Sequence, residues 1–109
     1  MSRDELYLLH IRDAILRIKS YTAKGKDSFL RESIIQDAVI RNLEIIGEAV
    51  KGLSSDFVSA NPSVPFKQIA GMRDRLIHGY FGVDLEIVWA VIEKDLSELL
   101  TVAKKPHGD

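Results

Sequence analysis

The chain has 109 residues, with 15 Lys plus Arg against 16 Asp plus Glu, a formal net charge of −1 and no cysteine. The length is read as one domain, and 46% apolar with 28% charged residues is ordinary globular composition rather than that of a disordered chain. The lack of cysteine excludes a disulfide framework, a thiolate metal site and a cysteine nucleophile, and the balanced charge argues against a protein that binds nucleic acid simply by being basic.

The first predicted element runs from about Arg3 to Lys24. Leu8, Ile11, Ile15 and Ile18 step by three and four residues, which puts them on one stripe of a helix. Met1 to Lys26 holds no continuous apolar stretch, unlike a secretory signal. No run along the chain approaches the roughly 18 to 20 apolar residues that cross a membrane, so a cytoplasmic protein with no membrane partner is expected. Lys24-Gly25-Lys26 stops the helix, and Asp27 is the expected N-cap of the next.

The second segment spans about Ser28 to Lys51. Ile34, Ile35, Ala38, Val39, Ile40, Leu43, Ile45, Ile46, Ala49 and Val50 cover more than one face, which predicts burial on two sides, one toward the core and the other toward a partner chain. Gly52 is a good C-terminal stop. Ser54 to Ala60 is long enough for one short helical turn. Residues 61–65 form a connector, in which Pro65 suits the first turn of a helix.

The next helix starts near Phe66 and extends to about His78 or Tyr80, with Gly79 and Gly82 bracketing its exit. Asp84 can cap the last helix, where Leu85, Val88, Trp89, Ile92, Leu96, Leu99 and Ala103 keep the helical period. No internal repeat and no alternating strand pattern appears. The expected fold is therefore an all-α antiparallel bundle of four to five helices, occupying residues 1–103, with a polar tail over 104–109. Charge is graded along it, from +3 over 1–26 to −3 over 84–109.

One segment carries unusual chemistry. On a helical wheel starting at Phe66, the residues Phe66, Ile69, Ala70, Met72, Leu76 and Ile77 fill one arc, and Arg73 falls inside it at about 340°. A charge within an apolar stripe needs a carboxylate, a phosphate or an aqueous cleft. Glu48 and Glu44 on the second helix are candidate partners, Glu48 the better of the two. Asp74 and His78 form an i, i+4 pair in which the carboxylate can hold the imidazole's tautomer. Arg75, at about 180°, is expected to face solvent. From these residues alone two readings stand side by side. Arg73 is either half of an ion pair or a phosphate-binding group, and His78 is either a helix-end residue or a proton-transfer group. His10 and His107 read as structural or incidental, and the three histidines show no metal-ligand spacing.

Arg73, four intervening residues, then His78, Gly79 and Tyr80 resembles the Arg-x4-His-x-Tyr ribonuclease motif of HEPN domains, specifically of the HepT-like toxins. Arg41-Asn42-Leu43-Glu44-Ile45-Ile46-Gly47-Glu48-Ala49, Pro65-Phe66 and Asp84-Leu85-Glu86-Ile87-Val88-Trp89 resemble the family's flanking segments in the same order. Two positions depart from its pattern: Asp74 stands where Asn is common, and Phe66 where Trp is common. The Asp74 departure puts a negative charge beside the expected phosphate site.

The resemblance implies a metal-independent endoribonuclease without a cofactor, built as a HEPN-like homodimer whose motif helices face each other across a cleft. It assigns catalysis to Arg73 and His78, with Tyr80 as a modified or substrate-positioning residue; Asp74, Arg75, as a contact to the RNA backbone, and Glu48 are added as supporting residues from the reading of the residues themselves. It implies RNA as substrate, with 2′,3′-cyclic phosphate and 5′-hydroxyl products. It also implies a toxin–antitoxin partner, a minimal nucleotidyltransferase that transfers AMP to Tyr80. The alternatives are a non-catalytic HEPN module that binds nucleotide or supports a nucleotidyltransferase, and a helical interaction protein in which Arg73 is a structural ion pair.

Overall fold

Residues 2–78 and 83–104 are described by the computed structural model, with only the backbone of Ile77 and His78. Helix α1 (Arg3–Tyr21) opens on a capping box: the Ser2 hydroxyl accepts from the Glu5 amide, and the Glu5 carboxylate accepts from the Ser2 amide. Its stripe of Leu8, Ile11, Ile15 and Ile18 is buried, as the spacing predicts.

The second predicted segment is two helices, α2 (Lys26–Arg31) and α3 (Ser33–Gly52), broken at Glu32, whose backbone is extended. Asp27 is not the N-cap. That position falls to Gly25, whose φ of 99° suits a residue without a side chain, and Asp27 lies inside the first turn of α2. The break is held by Gln36, whose side-chain amide donates to the Phe29 and Leu30 carbonyls at the end of α2. Such a side-chain closure leaves no trace in hydrophobic period, which is why the sequence reads as continuous there.

Helix α4 (Ser55–Ala60) is capped by Ser54, whose hydroxyl accepts from the Phe57 amide and donates to Asp4 at the start of α1. Helix α5 (Phe66–His78) follows the Pro65 connector. Asp84 caps α6 (Leu85–Ala90) by accepting from the Glu86 amide, as expected. The C-terminal run then passes through a π-helical stretch, Val91–Asp95, into α7 (Leu96–Lys104). Lys104 is the last residue of α7, and the rest of the predicted tail, 105–109, lies outside the described residues.

Helix α3 is the central element, packed on α1 along one side and on α5 along another, while α7 closes against α1. Both apolar sides of α3 are thus used within one chain, and Ile34 is left 82% exposed near its start. Asp4 of α1 meets Ser54 just beyond α3, and Arg17 near the far end of α1 donates to Asn42 in mid-α3, so the two helices run antiparallel. Phe29 stacks obliquely on Trp89 with ring centroids 5.5 Å apart, fixing α2 to α6. No strand occurs among the described residues, and the fold is the expected all-α helical bundle. None of the described helices is long and apolar enough to cross a membrane.

Candidate active site

The buried face of α5 is the one the wheel assigns: Phe66, Ile69, Met72 and Leu76 lie in the core. That face sets the direction of Arg73, which emerges at the edge of the α3–α5 contact with 25% of its side chain exposed. Arg73 is therefore neither sealed in the core nor free in solvent. Its Nη2 lies 2.8 Å from Glu48 Oε2, and its Nη1 donates to Asp74 Oδ1 at 3.1 Å. Lys51 Nζ donates to the same Asp74 oxygen at 2.6 Å. Arg73 Nε is shielded from solvent and has no hydrogen-bond partner among the described residues.

Glu48 is thus the ion-pair partner, and Glu44 instead approaches Arg41 at 3.6 Å. Asp74 bridges Lys51 and Arg73, while the side chain of His78, its expected i, i+4 partner, lies outside the described residues. So does all of Tyr80. Arg75 is exposed. Glu48 and Asp74 keep 65% and 46% of their side chains accessible, so both pairs are screened by water and add little to stability.

The hydrogen bond from Lys51, and after it the one from Arg73, hold the Asp74 carboxyl below the ordinary carboxylate range. A carboxylate whose folded pKa is depressed stabilises the fold above its unfolded pKa of about 3.9, and the contribution disappears as pH falls through the lower folded value. Asp74→Asn is accordingly expected to lower the thermal midpoint slightly at neutral pH. Its midpoint and the wild-type one should converge on acidification below about pH 4. Thermal unfolding of both proteins across that range measures this, and a gap that widens toward acid would contradict it.

Beside Arg73 a groove of about 280 Å³ opens between α1, α3 and α5. Tyr7, His10, Arg41, Glu44, Glu48 and Arg73 supply its polar lining, over a floor that includes Ile45 and Ala49. Among the described residues no group of three His, Asp or Glu side chains is placed to hold a metal ion.

Reading by sequence missed three participants. His10 reads as a structural or surface residue, yet it lines the groove that Arg73 lines. Lys51 anchors Asp74, and Gly47 lies directly beneath the Arg73 stem. Gly47, Glu48 and Lys51 fall within five residues of α3 and so share one side of it, a spacing visible in the sequence once the facing of α3 and α5 is known.

A family model described as "Ribonuclease HepT-like" matches residues 11–106, and the chain belongs to this HepT-like ribonuclease family. It is 47% identical over 96 residues to the "Gamma-glutamylcyclotransferase and putative RNase" of Methanocaldococcus jannaschii, covering 87% of this chain but 43% of that protein. It is 44% identical over 94 residues to the "Probable ribonuclease HepT" of Thermococcus cleftensis, covering 85% of this chain and 86% of that one. The chain thus spans less than half of the first relative and most of the second. No solved structure matches it.

Proposed function

We propose that the protein is the endoribonuclease toxin of a toxin–antitoxin pair, cutting RNA without a metal at a dimer-interface site made of Arg73 and His78. The observation that carries this reading is the placement of Arg73 within a HepT-like chain. The residue that the motif assigns to the phosphate is fixed at its stem, tied through Nη2 to a carboxylate, and partly open to a groove. A sealed structural arginine would have no such outlet.

The chemistry follows from what cleavage requires. The ribose 2′-oxygen attacks phosphorus, a base removes its proton, and the bond from phosphorus to the 5′-oxygen breaks as an acid protonates that oxygen. The products are a 2′,3′-cyclic phosphate and a 5′-hydroxyl. An imidazole, with an ordinary pKa of about 6.5, suits either proton role near neutrality. Arg73 carries the charge that builds on the phosphorane, through the planar fork that fits two phosphate oxygens. Each chain has one motif histidine, so two imidazoles acting as acid and base require a symmetric dimer that brings both copies together.

Tyr80 lies two residues past His78 and is the proposed site of AMP transfer by a minimal nucleotidyltransferase antitoxin. An anionic nucleotide on Tyr80 would compete for Arg73 and leave the RNA phosphate without its counter-charge. Incubating the purified protein with ATP and such a transferase should raise its mass by one AMP and stop cleavage, with both effects absent in Tyr80→Phe. Modification of Tyr80→Phe to the same extent would contradict the assignment.

A second reading is favoured by one observation: Glu48 and Asp74 already occupy the two Nη groups of Arg73. In a non-catalytic nucleotide-binding HEPN module these contacts would be permanent, and no RNA would be cut by the unmodified protein.

A further inference from the structure

We infer that Gly47 is a positioning residue for Arg73: the missing side chain on α3 is the seat in which the arginine stem lies. This rests on the reading of Arg73 as the phosphate-binding group. A Cβ built on Gly47 would stand 2.1 Å from Arg73 Cβ, 2.7 Å from its Cγ and 3.4 Å from its Cα. The first of these atoms is fixed to the α5 backbone, so no rotamer change relieves the overlap. Carbon atoms in ordinary contact lie about 3.5–4.0 Å apart, so a methyl group here requires α5 to retreat from α3 by more than about 1 Å.

The location makes this more than a general close approach of two helices. The neighbouring residue, Glu48, pairs with Nη2 of the same arginine, and Lys51, one turn on, donates to the adjoining Asp74. One turn of α3 therefore holds Arg73 at three levels: Gly47 under the stem, Glu48 at the head, and Lys51 through Asp74. Gly71 makes the contrast within the motif helix itself, since a Cβ there meets nothing within 4 Å. Glycine is thus demanded at position 47 by the seat, and position 71 carries no such demand.

A misplacement near 1 Å of a group that aligns reacting atoms can cost about 10²-fold in rate. Gly47→Ala is expected to lower kcat on a fluorophore–quencher RNA oligonucleotide of mixed sequence by about 10²-fold, whereas Gly71→Ala stays within a few-fold of wild type. The distinguishing readout is the combination with Arg73→Gly, because alanine at 73 would keep the Cβ that the methyl group meets. With that Cβ gone α5 need not retreat, so adding Gly47→Ala to Arg73→Gly should produce no further loss. A glycine required for any reason other than this seat would lower the residual rate again by the same factor, and that result overturns the proposal.

If Gly47→Ala does not fold, as judged by circular dichroism, the pair Gly47→Ala with Arg73→Gly is the alternative, because it empties the seat that the methyl group enters. That pair should fold, and a double variant that remains unfolded overturns the proposal. The underlying reading fails separately: it falls if Arg73→Ala alone cuts RNA at the wild-type rate. Loss in Arg73→Ala together with full activity in Gly47→Ala would sink the role of Gly47 alone.

Discussion

His78→Ala is expected to lose about 10²–10⁴-fold in RNA cleavage, the range typical of removing a general acid or base. The variant should remain folded, because α5 reaches His78 only at its last residue and its core contacts are made earlier, by Phe66, Ile69, Met72 and Leu76. Matching far-ultraviolet spectra and thermal midpoints for variant and wild type would show that the loss is chemical. Helix geometry sharpens the prediction. On a straight helix Arg73 and His78 diverge by about 140°, and α5 is helical through His78. In the proposed dimer a second copy of the motif helix across a dyad would supply the missing direction, so a protein found only as a 12.3 kDa monomer in sedimentation would remove the geometric basis for the proposal. Cleavage by His78→Ala at the wild-type rate would remove His78 from the mechanism outright.

The second large effect is expected at Arg73. Arg73→Ala should cost about 10²–10³-fold in kcat, the scale observed when one stabilising donor is taken from a developing oxyanion. Arg73→Lys should fall between Ala and wild type, since lysine keeps the charge but loses the fork that grips two phosphate oxygens. A structural role gives the opposite pattern. Removing Arg73 would then leave Glu48 without its partner, and Glu48 is 65% exposed, so stability would barely move and cleavage would be unaffected. Initial rates over a range of RNA concentration distinguish the two, because loss of an interaction made only in the transition state lowers kcat and leaves KM nearly unchanged.

Both predictions depend on residues that the sequence exposes through simple arguments. The stripe of α1 and the buried arc of α5 follow from spacing alone, because a helix with one apolar face has only one way to meet a core. Arg73 stands out for the same reason: it breaks the arc it sits in. Glu48 follows from the need for a counter-charge on the neighbouring buried helix.

What stayed hidden depends on register between helices, which no single periodicity contains. Lys51 reaches Asp74 only because α3 and α5 cross with Gly47 under Arg73. The break at Glu32 depends on Gln36 turning back to the end of α2, and the apolar residues on either side continue without a visible change of pattern. The π-helical stretch at Val91–Asp95 is equally silent, because one extra residue per turn shifts the apolar face without interrupting it. A net charge of −1 argues against general affinity for RNA, and the proposed site is compatible with it, since one arginine per chain, doubled in the proposed dimer, would serve a single phosphate.

The most direct measurement is cleavage of total RNA by the purified, unmodified chain in excess chelator, followed by analysis of the new ends. The account predicts fragments that carry 2′,3′-cyclic phosphates and 5′-hydroxyls, the latter labelled by polynucleotide kinase without prior dephosphorylation. Absence of cleavage by protein whose mass shows no attached AMP, or fragments with 5′-phosphates, would contradict it.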